Sequence, residues 1–154
     1  MRHRFLLLTG AMIVALPACS ASAGAESSDY QSANDSQTEY RAEAAKLTLP
    51  VGAAFPSTAP GLADKADDGQ TVLYQKDIGA QKADAFWYCS WAKYAIGATG
   101  DEQTKAVETM KGLRDLVFWT DIDDNGVALF TTLQAKAQLG DLSGLREYVG
   151  ANCL

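Results

Sequence analysis

Hydrophobic and polar positions fall into blocks along this chain, and each block predicts a different physical state. Residues Phe5 to Leu16 form a mainly apolar run of about twelve residues, too short to span a bilayer comfortably. Ser20 to Thr38 are almost wholly small and polar, a composition that buries too little apolar area to hold a fold. From Leu49 to Asp77 the prolines at 50, 56 and 60, with Gly52, Gly61 and Gly69, interrupt any long helix and predict an extended segment laid on the domain. Within it Thr71 to Gln75 has the make-up of a short strand. Beyond Ile78 the period changes to that of helices.

Four helices are predicted there. The first, from about Ala80 to Ile96, carries Phe86, Cys89, Ala92 and Ile96 at helical spacing, and Trp87, Trp91 and Tyr94 widen its apolar stripe until little of it can face water. Gly97 and Gly100 end it, and Thr99-Gly100-Asp101-Glu102 has capping-box spacing for the next. The second helix is expected to run to about Val117, with Ala106, Met110, Leu113 and Val117 on one face. Val127, Phe130, Leu133 and Ala137 mark the third, from about Val127 to Leu139. Gly140 stops it, Asp141 can cap the fourth, and Leu142, Leu145 and Val149 give the final stripe. Upstream, Ser36-Gln37-Thr38-Glu39 also has capping-box spacing, which allows a short helix through Arg41 to Lys46. The fold class is therefore mainly α, a small bundle of three or four helices with an extended Pro/Gly-containing N-terminal segment.

The opening run acquires meaning from its flanks. Arg2, His3 and Arg4 precede it as a positive n-region, so residues 1–18 read as a signal peptide. Leu16-Pro17-Ala18-Cys19 at its end resembles the lipobox of bacterial lipoproteins, although Pro17 is unusual before the small residue. The resemblance implies cleavage before Cys19 and a diacylglycerol on its thiol. An ordinary secretory cut after Ala23, at Ala21-Ser22-Ala23, is the alternative. On the lipid reading, residues 19–48 are a flexible tether and 49–154 the helical domain; a coil of roughly thirty residues would hold the domain about 30 Å from its anchor.

Either cut leaves Cys89 and Cys153 as the pair able to bond, since Cys19 is acylated or removed. Outside the cytoplasm these two are expected to form a disulfide. Their spacing excludes C-x-x-C redox chemistry, and two cysteines without a histidine make a poor zinc site.

Charge narrows the partners. Taking Arg2 and Arg4 from the 13 basic residues leaves 11 against 19 acidic ones, a formal charge of −8. Such a surface repels phosphate backbones and anionic headgroups, so nucleic acid is not expected as a partner, and membrane attachment requires the lipid.

Chemistry is sparse. The only histidine, His3, lies in the leader, which removes Ser-His and Cys-His nucleophile pairs from a processed chain. Asp121-Ile122-Asp123-Asp124-Asn125-Gly126 matches the first half of a calcium-binding EF-hand loop, with Asp121, Asp123 and Asn125 as candidate metal ligands. The position for the bidentate Glu holds Thr132 and position 9 holds Leu129. The competing reading is an acidic turn that caps a helix. Trp87 and Trp91 share a helical face and, with Trp119, form a possible ligand face for a sugar or peptide; burial in the core competes. Glu102, Glu108, Asp115 and Glu147 provide carboxylates for a glycosidase-like reaction, but each sits where an exposed helix face wants charge. No catalytic residues and no cofactor are assigned.

Leu49-Pro50-x-Gly52, Trp87-x-Cys89-x-Trp91, Gly140-Asp141, Tyr148 and Asn152-Cys153 together resemble a group of small exported proteins and lipoproteins of actinobacteria. That resemblance implies the disulfide and the helical fold and no mechanism. The expected function is a non-catalytic cell-envelope lipoprotein that binds an unidentified protein at the outer face of the membrane. A calcium-binding module at 121–126 and a carboxylate hydrolase of wall polymers are the alternatives.

Overall fold

A computed structural model describes residues 29–153. The chain is mainly helical, with α1 Ala33–Ala44, α2 Ile78–Gly97, α3 Gly100–Met110, α4 Val117–Asp121, α5 Asp124–Gln138 and α6 Ser143–Asn152. Two short strands, β1 Tyr30–Gln31 and β2 Tyr74–Gln75, pair antiparallel with Tyr30 opposite Gln75.

The central element is α2, as its unbroken apolar stripe predicts. Its Trp87, Tyr88 and Ala92 are buried against Ala106, Met110, Leu113, Phe130, Leu133 and Leu145 of the surrounding elements. Phe130 is the hub of the aromatic part: its ring meets Tyr88 edge-on at 5.1 Å, Tyr148 at 5.3 Å and Phe118 at 5.5 Å. Such edge contacts add about 0.5–1.5 kcal/mol each to area burial. The expected disulfide is present between Cys89 and Cys153, with Cα atoms 5.5 Å apart, and it binds the end of α6 to the middle of α2.

The domain starts earlier than expected. Residues 30–48, assigned to the tether, are folded: β1 pairs with β2, and α1 packs on α2 with Ala33, Ser36, Tyr40 and Glu43 buried. The helix also begins one turn before the anticipated box. Ser32 is its N-cap and accepts from Asp35 N–H, while the Ser32 hydroxyl donates to the Asp35 carboxylate at 2.7 Å. Its buried face alternates Ala33 and Tyr40 with Ser36 and Glu43, so it gave only a weak hydrophobic period, and it packs closely where α2 offers Gly79 and Ala83.

The extended segment behaves as predicted and is fastened largely by side chains. Tyr40 OH donates to Pro56 O at 3.2 Å, and Gln37 both donates to Ala59 O and accepts from Ala59 N–H. Gly52, at φ +84°, turns the chain between Pro50 and Ala53; a side chain there would be forced into the left-handed region.

The second predicted helix is not continuous to Val117. α3 stops at Met110, a 3₁₀ turn covers Lys111–Asp115, and Leu116 is extended before α4 begins. Gly112 weakens the helix there. From the other side, Asp84 on α2 caps a new helix, its Oδ2 accepting from Phe118 N–H at 2.9 Å.

Candidate functional site

Each residue singled out from the sequence has a definite place. Trp87 and Trp91 lie one turn apart on α2, and both indole N–H groups donate to a single acceptor, Thr48 O, at 3.0 Å. Trp87 is 6% exposed. The pair therefore clamps the Leu47–Pro50 segment onto α2; Trp87 is buried, while Trp91 and Trp119 are half-buried.

The acidic turn is a helix cap. Asp123 Oδ1 accepts from Gly126 N–H at 2.8 Å, Asp123 Oδ2 from the Asn125 amide, and Asp121 from the Gln81 amide. α5 begins at Asp124, where a calcium loop would still be curling. Among the described residues no group of three or more His, Cys, Asp or Glu is placed to hold a metal ion.

The four carboxylates considered for hydrolysis are all exposed and lie on separate stretches: Glu102 and Glu108 on α3, Asp115 at the end of the 3₁₀ turn, Glu147 on α6. Glu108 is held below the usual carboxylate range by its hydrogen bond from Lys111, then by that from Gln138. The buried carboxylates are others. Glu43 pairs with Lys46 at 2.7 Å, and Asp84 has no exposed surface. Sequence reasoning passed over Asp84, although a charge four residues before Tyr88, on the stripe that also holds Ala80, was the available signal.

Asp84 is a structural acid. Burial pushes its pKa up to about 6 against the opposing pull of Phe118 N–H, and neighbouring Glu43 adds to the rise while Lys46 opposes it. Its Oδ1 and the hydroxyl of Tyr88 are buried with no hydrogen-bond partner among the described residues. With no exposed surface it meets no substrate; its role is to cap α4.

The raised pKa makes a pH prediction. The fold binds the proton more tightly than the unfolded chain, so the stabilisation is fully present below about pH 4 and is lost as pH rises towards 6. The shift corresponds to roughly 2 to 3 kcal/mol at most. Asp84→Asn keeps an oxygen for Phe118 N–H and removes the charge. It is expected to be more stable than the native protein at pH 7 by up to about 2 kcal/mol and to show no advantage at pH 4, measured by urea unfolding. Equal effects at the two pH values would show that burial of the charge is not the cause.

One open groove gathers polar groups. It has a volume of about 330 Å³, lies between the 3₁₀ turn and α5, and is lined by Lys111, Arg114, Thr131, Gln134, Ala135 and Gln138. A small adjoining cavity continues it towards Trp119 and Phe130. Arg114 sits 5.5 Å from the Trp119 ring centre, and its guanidinium donates to Thr131 Oγ at 3.4 Å. The Gln134 amide N–H donates to Val107 O and that of Gln138 to Glu108. Lys111 is paired with Glu108 at 2.5 Å, so Arg114 supplies the groove's net positive charge. Comparison with protein-family models, with curated proteins and with solved structures finds no match for this chain, so the geometry alone carries its functional reading.

Proposed function

We propose that the protein is a non-catalytic, partner-binding protein of the cell envelope, attached to the outer face of the membrane by a lipid on Cys19. The observation that carries this reading is the Cys89–Cys153 disulfide, which belongs to an oxidising compartment and agrees with a leader sequence. Dispersed surface carboxylates, and buried ones spent on caps and ion pairs, favour binding over hydrolysis.

Cys19 and Ala23 lie outside the described residues. Ten positions separate Cys19 from Asp29, where the described chain begins, so the domain sits within at most about 35 Å of the anchor. Among the described residues no helix is long and apolar enough to cross a membrane. Expression of Cys19→Ala is expected to move the protein from the membrane fraction to the medium, or to leave the leader uncut. Mass spectrometry of the native protein should find an acylated N-terminus at Cys19. A mature chain beginning at Gly24, or a correctly cut Cys19→Ala protein that stays on the membrane, would overturn the anchor.

A further inference from the structure

We propose that the groove between the 3₁₀ turn and α5 binds an acidic saccharide, a sugar ring carrying a carboxylate and several hydroxyls. The inference deepens the binding reading and rests on it, but it is independent of the anchor.

Charge is the first argument. The chain has a formal charge of −6, yet this groove offers two cations, and Arg114 has no carboxylate at ion-pair distance among the described residues. A guanidinium with free N–H donors matches a carboxylate edge, where two parallel hydrogen bonds form. Glu108 cancels Lys111, so the groove suits one negative charge rather than a polyanion.

The remaining lining sets the rest of the ligand. Gln134 and Gln138 each use one amide N–H on a protein partner, which leaves each a second N–H and an Oε1 able to bond a ligand. Thr131 Oγ receives the Arg114 N–H and keeps its own proton to donate. One cation flanked by amide and hydroxyl groups that both donate and accept suits a ligand with hydroxyls around a carboxylate, and a sugar acid supplies them. A volume of about 330 Å³ is at the small end of ligand sites and accommodates about one sugar ring.

The test is an NMR titration of the mature protein, in detergent micelles where it is acylated, with trigalacturonate as probe. Maltotriose serves as the neutral control and inorganic phosphate as the bare anion. Trigalacturonate is expected to shift the side-chain signals of Arg114, Gln134 and Gln138 with millimolar affinity, and maltotriose to leave them in place. Arg114→Gln should weaken binding by about tenfold or more, the loss of charge-assisted hydrogen bonds. Its melting temperature should be unchanged, since Arg114 is exposed. No shift at tens of millimolar probe, an equal response to maltotriose or phosphate, or binding indifferent to Arg114→Gln would each overturn the proposal. Any of those outcomes would leave the membrane anchor standing, because fractionation and N-terminal mass read that separately.

Discussion

Gly79→Ala is expected to unseat α1 from α2 and to cost about 3 kcal/mol or more. An added Cβ at this position would lie 1.9 Å from Ser36 O, 2.8 Å from its carbonyl carbon and 2.9 Å from Glu39 Cβ. Two of those three atoms are backbone, so no rotamer change relieves the overlap and the helices must move apart. Overpacking alone costs typically 1–3 kcal/mol. Separation also breaks the cap that α1 supplies to α2: the Glu39 carboxylate accepts from Asp77 N–H at 3.2 Å and from Gly79 N–H at 3.3 Å. Hydrogen bonds to a charged group are worth about 1.5–3 kcal/mol. Gly97→Ala is the control. It lies at the other end of α2 with nothing within 4 Å of its Cβ and a helical backbone, so the same substitution should stabilise by about 0.5–1 kcal/mol. Hydrogen exchange would locate the damage. In Gly79→Ala the amides of α1 should lose protection while those of Trp87 to Ala95 keep theirs. A melting temperature within a degree of the native one would show that α1 does not cross α2 at this glycine.

The largest effect belongs to the disulfide. Replacing Cys89 and Cys153 together by Ser, which avoids a stray thiol, is expected to remove about 4 kcal/mol. The bridge spans 64 residues, and closing such a loop restricts the unfolded chain by that amount in the chain-entropy model. For a domain of this size the melting temperature should fall by roughly 15 °C. The loss should also be local. α6 buries only Leu145 fully, leans Tyr148 and Val149 on the core, and ends at Cys153. Without the bond its last turn has little to hold it, so exchange should rise at residues 146–153 before it rises in α2. A double variant with native stability and a protected α6 would mean that packing alone seats the C-terminus.

The groove and Asp84 differ in how far they can be read from the chain. Lys111 and Arg114 are three apart, and Thr131, Gln134 and Gln138 are spaced by three and then four, so each set shares a helical face. The two faces come together where α3 breaks after Met110; Gly112 was the one local sign of it, outweighed because Ala106, Met110, Leu113 and Val117 kept a continuous helical period. The break is stabilised from a distance, by a carboxylate on another helix that satisfies the first free N–H groups of α4. α4 itself has five residues, none fully buried, too few to form a stable helix without such a partner.

The sequence by itself determined the helical class, the central place of α2 and the pairing of Cys89 with Cys153, because hydrophobic period, helix caps and cysteine count are local or arithmetic properties. It also made a helix-capping acidic turn the leading reading of Asp121 to Gly126, and Asp123 does cap α5. Only the tertiary structure decided that residues 30–48 belong to the folded domain. The buried face of α1 mixes Ala33 and Tyr40 with Ser36 and Glu43, so its hydrophobic period is weak, and it is seated by close packing on α2. Only the tertiary structure assigned Trp87 and Trp91 to one carbonyl 39 and 43 residues away. Partners of that kind are chosen by how the chain packs, and the side chains that take them carry no mark of it in their own neighbourhood.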